Sequence, residues 1–425
     1  MRIFKNIKKD VRFYVLIIIG LFAIISLITV LKWGDSNLLG SLQEFDNDDV
    51  KYVRSAWTLN EKGIVTYENT EDPTVYIMPG LTYVLAIITK IFGKVQGLVA
   101  FRVFQVIVQS FSLYLIFLIA KKAFNEKVAI IACIIDALYI VEIYVTSLIL
   151  METIFKFLFL LLIYLSMKAI KEKKMKYYII AGIVWAVDCL FRPTVAVYPL
   201  VIIILWIKEK YDIKDMIKYT LTVFLVFCTV MGPWWIRNYV NFDRFILFTK
   251  SSGNPFLQGT FPNYDESMGL GVPHESSEDF LEDDEKEIKM GMERLKKYGK
   301  EEPGKYIWWY TIGKTVVFWK DAFYWRGGQA AKIIDIEHMT MLITGILGIL
   351  VYFIRKDKNM EKSTIFLSML IINLAYLPYC PFSRYSYPLM CLMAIFSGYI
   401  IYIIGSYGYN KIMEVKRIEV KNNLL

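Results

Sequence analysis

The chain has 425 residues, 56% of them hydrophobic and 16% aromatic, and its charged residues (21%) bunch between apolar runs. This composition excludes an ordinary soluble domain, and five scattered cysteines with no CxxC exclude a disulfide framework. The formal charge of +9 lies mainly in connections between apolar runs, so it reads as membrane orientation and not as a nucleic-acid surface.

In chain order, a basic segment, MRIFKNIKKDVR, precedes the first apolar run, Phe13 to Trp33. The run is long for a signal sequence and no small-x-small cleavage site follows, so it is expected to be a retained helix. Residues 34–98 form a long loop holding EFDNDDVKYVRSAWTLNEKG, with Asp46, Asp48 and Asp49, and an interfacial helix at Met78 to Gly93. Nine more spans are expected at 99–120, 127–143, 147–167, 177–191, 194–208, 217–236, 339–354, 363–379 and 387–404, about ten in all. Residues 237–337 form a second long loop. It contains a helix with acids first and lysines last, with Ser277 as candidate cap, and an aromatic interfacial stretch from Gly304 to Lys320. With an even number of spans, the N-terminus, the basic connections (121–127, 168–176, 208–218, 355–362) and the tail share the cytoplasmic side. Both long loops then face outward. The expectation is one all-α polytopic domain, 1–425, in the plasma membrane.

Several charged residues do not belong to cytoplasmic connections: Arg102, Asp136, Glu142, Glu152, Asp188, Arg192, Arg237 and Arg384. Most fall at outward ends of spans, where arginine is disfavoured, and ionisable residues within membranes are functional candidates. Bland readings stand beside this. Asp188 and Arg192, spaced i, i+4, are placed to pair, and Arg102 is long enough to snorkel. Taken together the set points to a polar cavity open to the outside. Guanidiniums suit a phosphate; carboxylates suit a general base or a metal. Two histidines and no Walker loop, GxGxxG or nucleophile elbow argue against other common chemistries.

An ordered series of short motifs runs along the chain. Asp48, Tyr52, Ala56, Leu59 and Gly63 are followed by Pro79-Gly80, by Arg102 with Gln105, and by Met151-Glu152-Thr153. Then come Leu190, Arg192, Pro193 and Thr194; Pro233, Trp234, Arg237, Asn238 and Tyr239; Pro303, Gly304 and Tyr306; and Arg384, Tyr385 and Pro388. In this order the chain resembles the GT-C-fold glycosyltransferases that use polyprenyl-phosphate sugars, among them protein O-mannosyltransferases and the lipid A aminoarabinose transferase. It departs from them at Met151, where a serine is usual, and at Asp188, where a small apolar residue is usual.

The resemblance implies a GT-C fold and an inverting transfer of a sugar from a polyprenyl-phosphate donor to an extracytoplasmic acceptor. It implies Asp48 as the catalytic carboxylate, with Asp49 and Glu152 as further catalytic candidates. Arg192, Arg237, Arg384 and Arg102 are the implied donor-phosphate ligands, and Tyr52, Asn238 and Tyr385 the implied substrate contacts. No cofactor is expected; were a divalent cation used, Asp46, Asp48 and Asp49 would hold it. The bilayer is the third expected partner, and nucleic acid is not expected. Competing readings are a transporter or flippase, which would call for internal repeats and mid-membrane charges, and a polymerase of lipid-linked glycans.

Overall fold

The computed structural model describes residues 11–264, 279–355 and 359–422, and every regular element among them is helical. Arg2, Lys5, Lys8, Lys9, His274 and Ser277 lie outside the described residues. Helix α1 (Val11–Trp33) is apolar on all sides and buries only Val15, Phe22, Ser26 and Val30, as expected of a helix with most of its surface in lipid.

Helix α2 (Asp48–Lys62) starts where the Asn47 side chain accepts from the Asp48 N–H. It ends at Gly63, whose φ of 75° places it in the left-handed region and whose N–H reaches the Leu59 carbonyl. Helix α3 (Gly80–Phe92) is the expected interfacial helix. Gly80 is required by packing: its N–H donates to the Leu190 carbonyl at 2.8 Å, and a Cβ there would stand 2.6 Å from that oxygen.

Helices α4 (Lys94–Ala123), α5 (Glu126–Leu138), α6 (Ile140–Ser147), α7 (Glu152–Glu172) and α8 (Met175–Cys189) follow. Pro193 forces Arg192 into an extended conformation (φ −143°, ψ 110°), which ends the helical run before α9 (Pro199–Lys208). Next come α10 (Ile213–Phe242), then α11 (Gly253–Gly259) and α12 (Phe280–Glu301), which Asp279 caps by accepting from Leu281 N–H. The aromatic stretch forms α13 (Pro303–Trp308), a π-helical turn (Trp309–Gly313) and α14 (Lys314–Lys320). Helices α15 (Gln329–Ile354), α16 (Met360–Tyr376) and α17 (Ser383–Asn422) complete the fold.

Helices lie at all ten expected spans. Among the described residues only six are long and apolar enough to cross a membrane alone; α5 and α6, bent by 54°, make a seventh if they form one span. The helices α8, α9 and α16 at the remaining expected spans fall short of that length, so the count of ten is not reached by length and composition. The connections meet at the end expected of basic loops: Lys171 pairs with Glu361 at 3.0 Å, and Lys208 donates to Ser363. The starts of α7 and α17 and the turn after α8 lie at the other end.

A fully buried ion triad joins α5, α6 and α7. Lys156 Nζ donates to Asp136 at 3.1 and 3.2 Å and to Glu142 at 2.6 Å; Glu142 also accepts from Gln109 and Tyr387, each at 2.6 Å. Truncating one member of such a group leaves an uncompensated buried charge. Lys156→Ala is therefore expected to destabilise the protein by about 3–5 kcal/mol, and Lys156→Met with Asp136→Asn and Glu142→Gln to recover most of that loss. Thermal unfolding in detergent checks this, and an unchanged melting temperature for Lys156→Ala would refute it.

Candidate functional site

The acidic cluster is divided by helical geometry. Successive helical residues point about 100° apart, so Asp48 and Asp49 cannot face the same way. Asp49 is buried and turned toward its own loop, accepting from the N–H groups of Leu39 (2.7 Å), Gly40 (3.2 Å) and Val50 (2.8 Å). Burial pushes its carboxyl above the ordinary value, and these amides offset only part of the shift. Asp46 is exposed and accepts from Ser41 N–H at 2.7 Å. Asp49 and Asp46 thus pin residues 39–41 against the start of α2.

Asp48 points the other way, into a cavity of about 700 Å³ bounded by α2, the 76–78 segment, the 191–197 turn, the 248–255 segment and the facing ends of α16 and α17. Its Oδ1 accepts from the Tyr67 hydroxyl at 2.5 Å and its Oδ2 from Arg384 Nη1 at 2.6 Å. Arg384 Nε donates in turn to Glu152 Oε1, and that oxygen also receives Arg192 Nη2 at 2.6 Å. The chain ends where Arg192 Nη1 reaches the Tyr376 hydroxyl at 3.4 Å and Tyr376 meets Thr194 at 3.0 Å. Arg192 lies between the rings of Phe155 (5.3 Å) and Tyr385 (5.0 Å). Exposure falls inward along the chain of charges, from 47% at the Asp48 side chain through 10% at Arg384 to none at Glu152. Asp48 is the rim of the site and Glu152 its floor.

Burial alone would push the Asp48 carboxyl up. The Arg384 guanidinium, the Tyr67 hydroxyl and the Lys51 ammonium outweigh it and hold the group below its ordinary value of 3.8. Asp48 is therefore ionised at neutral pH. Two carboxylates face two guanidiniums, so the cluster is neutral as a whole.

The remaining expected residues fall in different places. Tyr52 and Tyr385 line the cavity. Arg102 does not. It donates to the Ser147 carbonyl at 3.0 Å and to Asp35 at 2.6 Å, while Gln105 takes the carbonyls of Thr146 (3.2 Å) and Leu148 (2.5 Å). These two side chains cap the end of α6. Arg237 is also outside the cavity, donating to the carbonyls of Thr74 (2.7 Å) and Val65 (3.2 Å) and to Asn238 Oδ1 (3.0 Å). Asn238 is buried and donates to the Ile246 carbonyl. The pairing open to Asp188 and Arg192 is not made: Arg192 turns to Glu152, and the buried Asp188 carboxyl has no hydrogen-bond partner among the described residues.

The three loop acids do not fit a metal. Their carboxylates diverge, two are engaged by backbone amides, and the Arg384 guanidinium occupies the cationic position beside Asp48. Among the described residues no three His, Cys, Asp or Glu side chains are placed to hold a metal ion together.

Tyr67, Tyr376 and Lys156 escaped sequence reasoning. Tyrosines are common in this chain, so Tyr67 and Tyr376 carried no signal. Lys156 was visible: it stands four residues after Glu152 in an otherwise apolar run. The placement of Arg237 predicts a structural role. Lysine cannot reach two carbonyls in a fork, so Arg237→Lys is expected to cost about 1–3 kcal/mol and to expose residues 64–75 to protease. Wild-type melting and wild-type proteolysis together would show that the fork is dispensable.

Comparison with known proteins supports this frame. Residues 73–236 match the family model described as dolichyl-phosphate-mannose-protein mannosyltransferase. No curated protein matches the sequence. The Archaeoglobus fulgidus oligosaccharyltransferase in the apo form superposes with a TM-score of 0.55 at 14% identity, over 94% of this chain and 52% of that one. The oligosaccharyltransferase AglB from the same organism, in complex with an inhibitory peptide and a dolichol-phosphate, gives 0.57 at 14% identity, over 96% and 52%. The chain thus spans about half the length of these structures. ArnT from Cupriavidus metallidurans bound to undecaprenyl phosphate gives 0.45 at 12% identity over 90% and 77%, a likeness too weak to argue from. By its helix order and these superpositions, the chain is a multi-pass membrane protein of the GT-C fold, the fold of the glycosyltransferases that its motifs resemble.

Proposed function

We propose that the chain is an inverting glycosyltransferase that moves a sugar from a polyprenyl-phosphate donor to an extracytoplasmic acceptor at the plasma membrane. The observation that carries this is the Asp48 carboxylate, bonded to Arg384 at the mouth of a cavity that Arg192 also lines. Elsewhere the cavity is lined by Ile77, Met78, Phe191, Ala196 and Val197, surfaces that suit a lipid-linked substrate. The match to a family described by a dolichyl-phosphate sugar, and the dolichol-phosphate in the archaeal neighbour, support the donor class. The basic connections at the opposite end support an outward-facing site.

The chemistry follows from the geometry. The acceptor oxygen attacks the anomeric carbon as its proton passes to Asp48, which acts as general base. The bond from the anomeric carbon to the phosphate oxygen breaks, and its electron pair leaves with the phosphate. Arg384 and Arg192 stabilise the charge that grows there. A single displacement inverts the carbon. The low proton affinity of Asp48 suits proton transfer that is concerted with attack, after positive charge has begun to form on the acceptor oxygen.

Without donor, Asp48 occupies one face of Arg384. A phosphate competes for that guanidinium, and its arrival frees the carboxylate to act. Asp48→Asn is therefore expected to lower turnover by about 10²–10⁴-fold and to bind donor lipid more tightly than wild type. Radiolabelled transfer and lipid-dependent thermal shift measure the two effects; near-normal turnover would remove Asp48 from the mechanism. Arg384→Lys is expected to lose more than tenfold in donor affinity. Because the Asp48 pKa is lowered, the base stays ionised until pH falls through that lowered value. The pH–rate profile should show no acid limb from Asp48 between about pH 5 and 8, and a limb there that vanishes in Asp48→Asn would contradict the assignment.

A further inference from the structure

The cavity changes character at Asp48. Its charged lining residues are Asp48, Arg192 and Arg384, and both arginines lie on the Glu152 side. On the other side stand tyrosines and hydroxyls. Tyr52 meets Tyr67 edge-on at 5.5 Å, and Tyr67 stacks on Tyr76 at 5.5 Å with 18° between the rings. Tyr52 and Tyr67 are buried, but Tyr76 is 41% exposed, so the ladder ends in an open aromatic ring at the cavity wall. Beside it runs the 248–252 segment, joined to the 75–76 segment by the Lys250 N–H to Val75 carbonyl bond at 2.9 Å. Thr249, Ser251 and Ser252 line the cavity there, half-buried, and their hydroxyls make no hydrogen bond among the described residues.

We propose that this half is the acceptor subsite and that the acceptor is a neutral saccharide, seated with a ring face on Tyr76 and its hydroxyls toward Thr249, Ser251 and Ser252. The proposal rests on the glycosyltransferase reading and adds the acceptor class to it. The face of an aromatic ring is electron-rich, and the axial C–H bonds of a pyranose present a weakly positive patch of matching size. Tyr67 and Tyr52 brace Tyr76 from behind, so the platform is rigid before the ligand arrives. Three free hydroxyls, able both to donate and to accept, match a polyhydroxyl ligand. Asp48 is the one charged side chain that lines this half, and Lys51, which lies over the Tyr67 ring at 5.4 Å, is paired with Glu68, so the lining offers no cation to select a phosphate or a carboxylate.

A polypeptide acceptor fits less well. Extended peptides are commonly held by backbone hydrogen bonds along a sheet edge. The described residues contain no strand, and the Val75 carbonyl and Lys250 N–H are spent on each other. In the proposed step a sugar hydroxyl oxygen bonds to the donor's anomeric carbon, its proton goes to Asp48, and the bond from that carbon to the phosphate oxygen breaks, its electron pair leaving with the lipid phosphate.

The test is saturation-transfer NMR on the full chain in lipid nanodiscs, without donor. The probes are methyl pyranosides of neutral hexoses and, separately, short peptides containing serine and threonine. Saturation is expected to reach the pyranoside ring protons and not the peptides. Tyr76→Ala is expected to cut the signal at least fivefold, Tyr76→Phe to retain it, and Ser251→Ala with Ser252→Ala to weaken it, all with wild-type melting. An absent pyranoside signal, a signal unmoved by Tyr76→Ala, or a signal from peptides alone would each overturn the proposal. Since no donor is present, these outcomes are separate from failure of the donor to react in a transfer assay, which would defeat the glycosyltransferase reading instead.

Discussion

The site depends on one buried carboxylate. Glu152 has no solvent exposure, yet one of its oxygens receives guanidiniums from both Arg192 and Arg384. Removing a carboxylate and two guanidiniums from water is costly, and such groups add little to net stability. What they impose is position. Arg192 follows α8, Glu152 opens α7 and Arg384 lies in the first turn of α17, so three segments distant in sequence are drawn to one point. Asp48, from a fourth segment, is then oriented by the free edge of Arg384.

For Glu152 to open a helix at that depth, the chain must leave the helical path between Ser147 and Glu152 inside protein. Non-helical backbone at membrane depth needs partners for its carbonyls. Arg102 and Gln105 provide them from α4, taking the carbonyls of 146–148. The carboxylate then sits in the first turn of α7, where the helix dipole favours negative charge. One turn further, Lys156 anchors the same helix to Asp136 and Glu142, and Tyr387, three residues after Arg384, joins that layer through Glu142. The polar interior is therefore two stacked layers sharing α7 and α17. The outer layer opens to the cavity and the inner one is sealed.

The outer layer is also balanced. Two guanidiniums meet two carboxylates, so their formal charges cancel, and of the two acids Asp48 is the more exposed. Asp49 has no such exposure: its oxygens are bound by three amides, and its work is to hold the loop that lets Asp48 stand at the rim.

The sequence by itself determined the class of the molecule, the positions of its helices and most of the cavity's charge. Apolar runs report burial in lipid, and charges within such runs are costly enough to stand out. Glu152, Arg192 and Arg384 were legible for that reason, and Asp48, in a polar loop, through the ordered motifs that the chain shares with the glycosyltransferases it resembles. Only the tertiary structure decided which charged residues share a space. Arg237 and Arg102 looked the same as Arg384 in sequence, yet they bind backbone carbonyls, because an arginine fork satisfies a carbonyl as readily as a phosphate. Asp48 and Asp49 are adjacent in the chain and part company through the turn of one helix. Asp188 and Arg192 have the spacing of a pair, but a buried carboxylate from another helix took the arginine. Tyr67 and Tyr76 became a wall only once loop and helix were packed together. A residue's type limits what it can bind; the partner it finds is set by the fold, since hydrogen bonds and ion pairs form only over a few ångströms and those distances are not written along the chain.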